Sequence, residues 1–190
     1  MKAIQKELLS ELNHLTAKAI SSVNQFKNLP LVELNHKHSQ NSWSVLECIE
    51  HLNLYGKFYL PELEKTILLA KNVSPNNPYK SSLLGDFFVD SIKAENKKKM
   101  KSTAMMLPPK SELSYACIDM FLKQLERLSG ILIKCENKDL RNVKTSISLT
   151  KYVKLPLGDT LRFLVYHNER HILQAEYVCN QLLKTKLLYN

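Results

Sequence analysis

The chain has 190 residues, of which 44% are apolar and 24% charged, with a net charge of +9 and only four glycines and four cysteines. That is the balance of a soluble globular protein, expected from its length to be a single domain spanning 1–190 and to bury roughly 70% of the surface its unfolded chain exposes. It excludes a membrane-spanning helix, since no apolar run approaches the roughly 20 residues one needs, as well as a dense disulfide framework and a fold of many tight β-hairpins, which would require more glycine.

From Ile4 to Phe26 the apolar residues Ile4, Leu8, Leu12, Leu15, Ala19, Val23 and Phe26 step by four or three, which predicts a long amphipathic helix. It stops near Leu29, because Pro30 follows. The first residues, MKAIQKELLSELNHL, are polar at every second or third position and lack the continuous apolar centre of a signal peptide. Cys48, Cys117, Cys135 and Cys179 each lie in or beside an apolar helical pattern, as small buried thiols of a reducing compartment do. A cytoplasmic location is expected. The polar segment that follows holds His36 and His38, whose spacing of two suits a strand better than a helix for shared ligation; they are read as exposed loop residues.

Ser44 and Glu47 have the spacing of a capping box, so a second helix starts after Ser44. Val45, Ile49, Leu52, Gly56 and Leu63 form one apolar face, while Glu47, His51, Leu54, Tyr55 and Phe58 share another. A helix with two partly apolar faces is sandwiched, which places His51 inside, where an imidazole needs a partner. Pro61 is expected to kink this helix before it resumes through Leu63, Ile67 and Leu68. Between 72 and 110 the period is lost. SPNNPYK reads as a turn-rich loop, GDFFVDSIKAEN as a short helix, and KKKMKSTAMMLPPK as a mobile connector whose Met105, Met106 and Leu107 could still dock. Lys93, Lys97, Lys98, Lys99 and Lys101 concentrate much of the positive charge here, and a solvated loop explains such a run better than a binding patch.

A third helix is predicted from a cap at Ser111 to about Lys134, through Leu113, Ala116, Cys117, Met120, Leu125 and Leu128. The segment VKTSISLTKYVKLPLGD carries β-branched residues in loose alternation and is read as an extended loop ending at Pro156 and Gly158. Asp159 or Thr160 then caps a fourth helix, in which Leu161, Leu164, Val165, Ile172, Ala175, Cys179, Leu182 and Leu183 form the buried stripe. The expected fold class is all-α: an up-and-down four-helix bundle with a long insertion between the second and third helices, the 73–110 segment.

His167 and His171 lie four residues apart, one turn above each other at the edge of that stripe, with Gln174 and Val178 beneath them. A pair so placed can point at one metal ion or can merely pack. If the second and fourth helices are neighbours, His51 joins them, and three neutral imidazoles leave one tetrahedral position open, the pattern of catalytic rather than structural zinc. Glu47 has three candidate roles: capping its own helix, pairing with Arg170, or orienting a ligand imidazole. Gln174 and Arg170 are further candidates for the surrounding shell, Tyr55 and Phe58 for the pocket wall, and Cys48 is expected in the core.

Trp43-Ser44-x-x-Glu47-x-x-x-His51-Leu52, followed by His167-Asn168-Glu169-Arg170-His171-Ile172-Leu173-Gln174, resembles the DinB superfamily, which includes the YfiT-type proteins. The resemblance implies a four-helix bundle, often a homodimer, holding a divalent metal on His51, His167 and His171. It also implies a candidate chemistry, because members of that family transfer a low-molecular-weight thiol such as bacillithiol to an acceptor, and one is a mycothiol-dependent maleylpyruvate isomerase. Three functions therefore compete. The first is a metal-dependent enzyme activating a thiol or water, with zinc as the default ion and nickel, manganese or iron acceptable to imidazoles. The second is a non-catalytic bundle with a structural metal. The third, a nucleic-acid binder prompted by the charge, is disfavoured because no aromatics interleave the basic run. A small-molecule substrate is expected, and no membrane partner.

Overall fold

The computed structural model describes residues 1–40, 42–93, 95–96, 103–148 and 150–189, with side chains described for these except 150, 151, 183 and 185–189. The chain is mostly helical. Four long helices dominate: α1 (Gln5–Phe26), α3 (Val45–Leu69), α5 (Tyr115–Lys134) and α6 (Leu157–Tyr189). Two shorter helices, α2 (Leu31–Leu34) and α4 (Leu83–Ile92), and a 3₁₀ turn at Ala104–Met106 lie in the connections. Two small antiparallel pairs complete the described elements: β1 (Lys2–Ile4) with β2 (Pro78–Lys80), and β3 (Lys144–Ile147) with β4 (Thr150–Pro156). Among the described residues no helix is long and apolar enough to cross a membrane.

The helices start and stop for local reasons. In α3 the capping box forms: Ser44 Oγ accepts from the Glu47 amide at 3.1 Å, and Glu47 Oε2 accepts from the Ser44 amide at 2.9 Å. Pro61 does not interrupt this helix. It and Lys57, whose carbonyl loses its partner, both face solvent, so water can take the place of the missing bond. At the end of α1, the amides of Lys27, Asn28 and Leu29 bond to carbonyls three residues back, a tightened turn before Pro30.

Packing sets the order of the four long helices around the core. α1 touches α5 and α6, and α3 touches the same two, so α3 and α6 are direct neighbours. The core divides in two. One apolar cluster gathers Leu8, Leu12, Tyr55, Tyr59, Phe163 and Leu164, and the other gathers Val23, Ile49, Leu52, Phe121, Ile172 and Ala175. His51 falls between Ile49 and Tyr55 on α3, and His167 and His171 fall between Leu164 and Ile172 on α6, so the imidazoles sit at the seam.

Several expectations change. The 143–159 segment is not a loop but the β3–β4 hairpin: Thr145 and Ile147 turn inward and Leu155 covers them from the opposite strand. α6 starts at Leu157 rather than after Asp159 or Thr160, and no side-chain cap is needed there. The Leu157 and Gly158 amides donate to the carbonyls of Val143 and Leu140 at 2.9 and 2.8 Å. α5 starts at Tyr115, not after Ser111, and buries Ile118, Phe121 and Leu122 while Ala116 and Met120 stay exposed.

The insertion is held more firmly than its composition suggests. SPNNPYK is not all loop, since Tyr79 in β2 is buried, pairs with Ala3, and donates its hydroxyl proton to Asp159 Oδ1 on α6. Asp159 Oδ2 accepts from the amide and hydroxyl of Ser82, the N-cap of α4. Arg162 bonds Asp86 of α4 at 2.9 Å and Asp159 at 3.4 Å. Of the expected mobile connector, 97–102 lie outside the described residues, but Ala104–Met106 is ordered as a turn with Met106 buried.

Candidate metal centre

Three imidazoles converge at the seam. The ligand-capable atoms of His51, His167 and His171 all lie within 4.8 Å of one another, with His51 and His167 buried and His171 half-buried. His51 Nε2 and His167 Nε2 are 3.3 Å apart. Two ligands of a tetrahedral zinc at about 2.05 Å stand about 3.3 Å apart, so this pair already has the separation an ion would require.

Their second nitrogens show which lone pairs are free. His51 Nδ1 donates to the carbonyl of Met106 at 2.5 Å, and His171 Nδ1 donates to Gln174 Oε1 at 3.0 Å. Each of these imidazoles therefore keeps its hydrogen on Nδ1 and turns an unprotonated Nε2 toward the cluster, the arrangement that orients metal-ligating histidines. His167 Nδ1 is buried with no hydrogen-bond partner among the described residues. Without a cation, His167 can donate Nε2–H to His51; with its hydrogen on Nδ1 instead, two Nε2 lone pairs face each other at 3.3 Å, an arrangement that fits a divalent ion held between them.

Burial keeps all three imidazoles neutral. It lowers His51 to about 4, against a partial opposing pull from the Met106 hydrogen bond. It lowers His171 to about 3, helped by the nearby His51 and opposed by the bond to Gln174. His167 lies well below the ordinary histidine value through burial and its two neighbours. Neutral imidazole is the ligating form.

Aromatic rings wall the site. Tyr55 stacks on His167 at 4.0 Å between centroids, Phe163 lies near-parallel to the same imidazole at 5.6 Å, and Trp43 lies 4.8 Å from His51 and 5.6 Å from His171. Burial raises the Tyr55 phenol to about 12, with Tyr59 adding to the effect.

The other candidates are placed as follows. Glu47 is the helix cap, and its Oε1 takes Lys37 at 2.6 Å, so both carboxylate oxygens are engaged away from the imidazoles. Arg170 does not pair with Glu47 in the described contacts. It donates to the carbonyls of Lys93 and Asn96 at 3.0 and 2.9 Å, at the exit of α4. Gln174 is where the spacing placed it, beneath His171. Tyr55 lines the site, whereas the described ring contact of Phe58 is with Tyr59. Cys48 is in the core and His36 and His38 are exposed.

Two contributors escaped the sequence reading, Phe163 and the Met106 carbonyl, and Trp43 entered it only as part of the motif, with no role in the site. Phe163 stands one turn before His167, so helical spacing alone could have found it. A main-chain carbonyl carries no residue-type signal.

A buried group of three convergent imidazoles on two neighbouring helices defines a candidate mononuclear metal-binding protein of the helical class. The chain belongs to the DinB superfamily, whose family model matches residues 15–175. No curated protein and no solved structure matches the chain.

Proposed function

We propose that this protein is a divalent-metal-dependent enzyme, built on a four-helix bundle, that activates a low-molecular-weight thiol for transfer to an acceptor. The observation that carries the metal-dependent part is the pair of imidazoles whose Nδ1–H groups are spoken for, leaving Nε2 lone pairs converging with His167. His51, His167 and His171 would hold the ion. Zinc is the default for imidazole ligands, and nickel, manganese and iron also accept them. Once bound, such an ion supplies Lewis acidity that lowers the pKa of a ligand thiol or water.

A thiol suits the site at least as well as water. The three-imidazole cluster includes no carboxylate, and Glu47 is committed to the cap and to Lys37, so deprotonation of either would rest on the ion itself. A thiol needs less help, since its ordinary pKa is about 8.5. That thiol must come from outside. Burial raises Cys117 and Cys135 to about 12 and Cys179 to about 11, and pushes Cys48 up as well, so the chain's cysteines stay protonated. Trp43, Tyr55 and Phe163 pack against the imidazoles. A homodimer, a small-molecule acceptor and a cytoplasmic location belong to the same reading, the first two by family likeness and the last from unpaired buried cysteines.

Cobalt substitution tests it. Adding a small thiol to the cobalt-loaded protein should produce a sulfur-to-cobalt charge-transfer band, with Cys179→Ser as the control for the half-buried internal thiol. Cobalt bound without any spectral response to small thiols would leave water activation or a structural ion in place of thiol transfer.

A further inference from the structure

The insertion contributes to the metal site through its backbone. Ala104–Met106 forms a single 3₁₀ turn, closed by the Met106 amide to the Thr103 carbonyl at 2.9 Å. The turn is anchored by the Met106 side chain, 4% exposed within the apolar cluster of Tyr55 and Tyr59, whereas the adjacent Met105 is 81% exposed. This anchoring presents the Met106 carbonyl to His51 Nδ1 at 2.5 Å. On the other flank, Arg170, the residue before His171, holds the carbonyls of Lys93 and Asn96. Residues of both metal-bearing helices thus grip the insertion.

We infer that Met106 is a positioning residue whose main-chain carbonyl fixes His51 in the Nδ1–H tautomer, so that docking of the Ala104–Met106 turn sets the metal affinity of the site. A carbonyl can only accept, so the hydrogen must reside on Nδ1 and the lone pair on Nε2. An imidazole without that partner populates both tautomers, and in one of them Nε2 carries a hydrogen and cannot ligate. Removing a hydrogen-bond partner from a ligand imidazole weakens metal binding about 10- to 100-fold. The inference rests on the metal reading only for its consequence; the tautomer itself is a property of the metal-free protein.

The test has two arms. In metal-free wild-type protein, nitrogen-15 correlation spectra of the histidine rings, with His51 assigned by its loss in His51→Asn, should show a hydrogen on Nδ1 and a bare Nε2. A hydrogen on Nε2 overturns the inference whether or not the protein ever takes up metal. In the second arm, Met106→Asp places a carboxylate in the apolar anchor and should undock the turn. His51 should then become a tautomer mixture, and cobalt affinity should fall about 10- to 100-fold. Met105→Ala should change neither. Val89→Ala, a core change in α4, should lower stability and leave the tautomer intact. If Met106→Asp keeps the Nδ1–H signal and full affinity, or if Val89→Ala reduces affinity equally, the carbonyl has no positioning role. Should Met106→Asp fail to fold, the wild-type spectrum decides. No metal uptake by wild-type protein with the Nδ1–H tautomer present would sink the proposed function and leave the docking intact.

Discussion

His171 and Gln174 form the simplest part of the candidate site, an imidazole and the amide that holds it one turn apart on the same helix. Their relation was legible from spacing alone, as was the pairing of His167 with His171. Whether His51 completes the group depends on tertiary packing, which no local pattern reports. Gln174→Ala removes the acceptor from His171 and should weaken metal binding about tenfold, read by competition with a colorimetric chelator. Acidity offers a second check at this scale. His51 and His171 are held at about 4 and 3 in the folded, metal-free chain. Free histidine titrates near 6.5, so between those values the unfolded chain binds more protons and stability falls as pH drops. The sign follows because the folded-state values are depressed: the contribution is complete above about 6.5 and is lost on the way to the folded values. Thermal melts of metal-free protein should therefore drop steeply from about pH 6.5 to pH 4, with a shallower drop in the His51→Ala, His171→Ala double variant. Bound cobalt should persist at about pH 5.5, where ordinary imidazoles are mostly protonated.

The insertion and the hairpin are where the reading of elements fell short. The sequence of 143–159 alternates loosely, and among the described side chains of its two strands Thr145, Ile147 and Leu155 are the buried ones, so the signal is three residues deep and carries no turn marker such as Asn-Gly. The anchoring of 79–86 was invisible for another reason. It depends on Asp159, a buried carboxylate that meets Tyr79, Ser82 and Arg162 only in the folded chain. Its environment is tight: a Cβ on Gly85 would lie 2.2 Å from Asp159 Cγ, in a side chain fixed by several bonds. Asp159→Ala removes one partner from a buried ion pair and strips Tyr79 of its acceptor. It should cost about 3–5 kcal/mol, seen as a lower Tm and as faster amide exchange in Leu83–Ile92 than in α5. Equal protection of α4 in variant and wild type would show that the carboxylate is not what holds the insertion.

At the scale of the whole molecule, the ring order of the helices matters more than their number. A chain of helices joined by short turns would place the second and fourth diagonally, but long connections free the order, and α3 packs directly on α6. The existence of the four long helices was legible from periodicity, although Ala116 and Met120 of the stripe read for α5 are exposed and α5 and α6 start elsewhere than expected; their order was not, since a stripe specifies only that its helix faces a core. The charge of +9 finds no assigned role in this arrangement. What the order achieves is to bring His51 against His167 and His171 at the seam between two apolar clusters. The most direct measurement is a cobalt or zinc titration of purified wild-type protein beside His51→Ala, His167→Ala and His171→Ala, with His36→Ala and His38→Ala as controls. The account predicts one ion per chain in the wild type and in both controls, and a loss of affinity of 100-fold or more, on the order of 3 kcal/mol, in each of the three ligand variants. No uptake by the wild type, or undiminished binding after loss of His51, would contradict it.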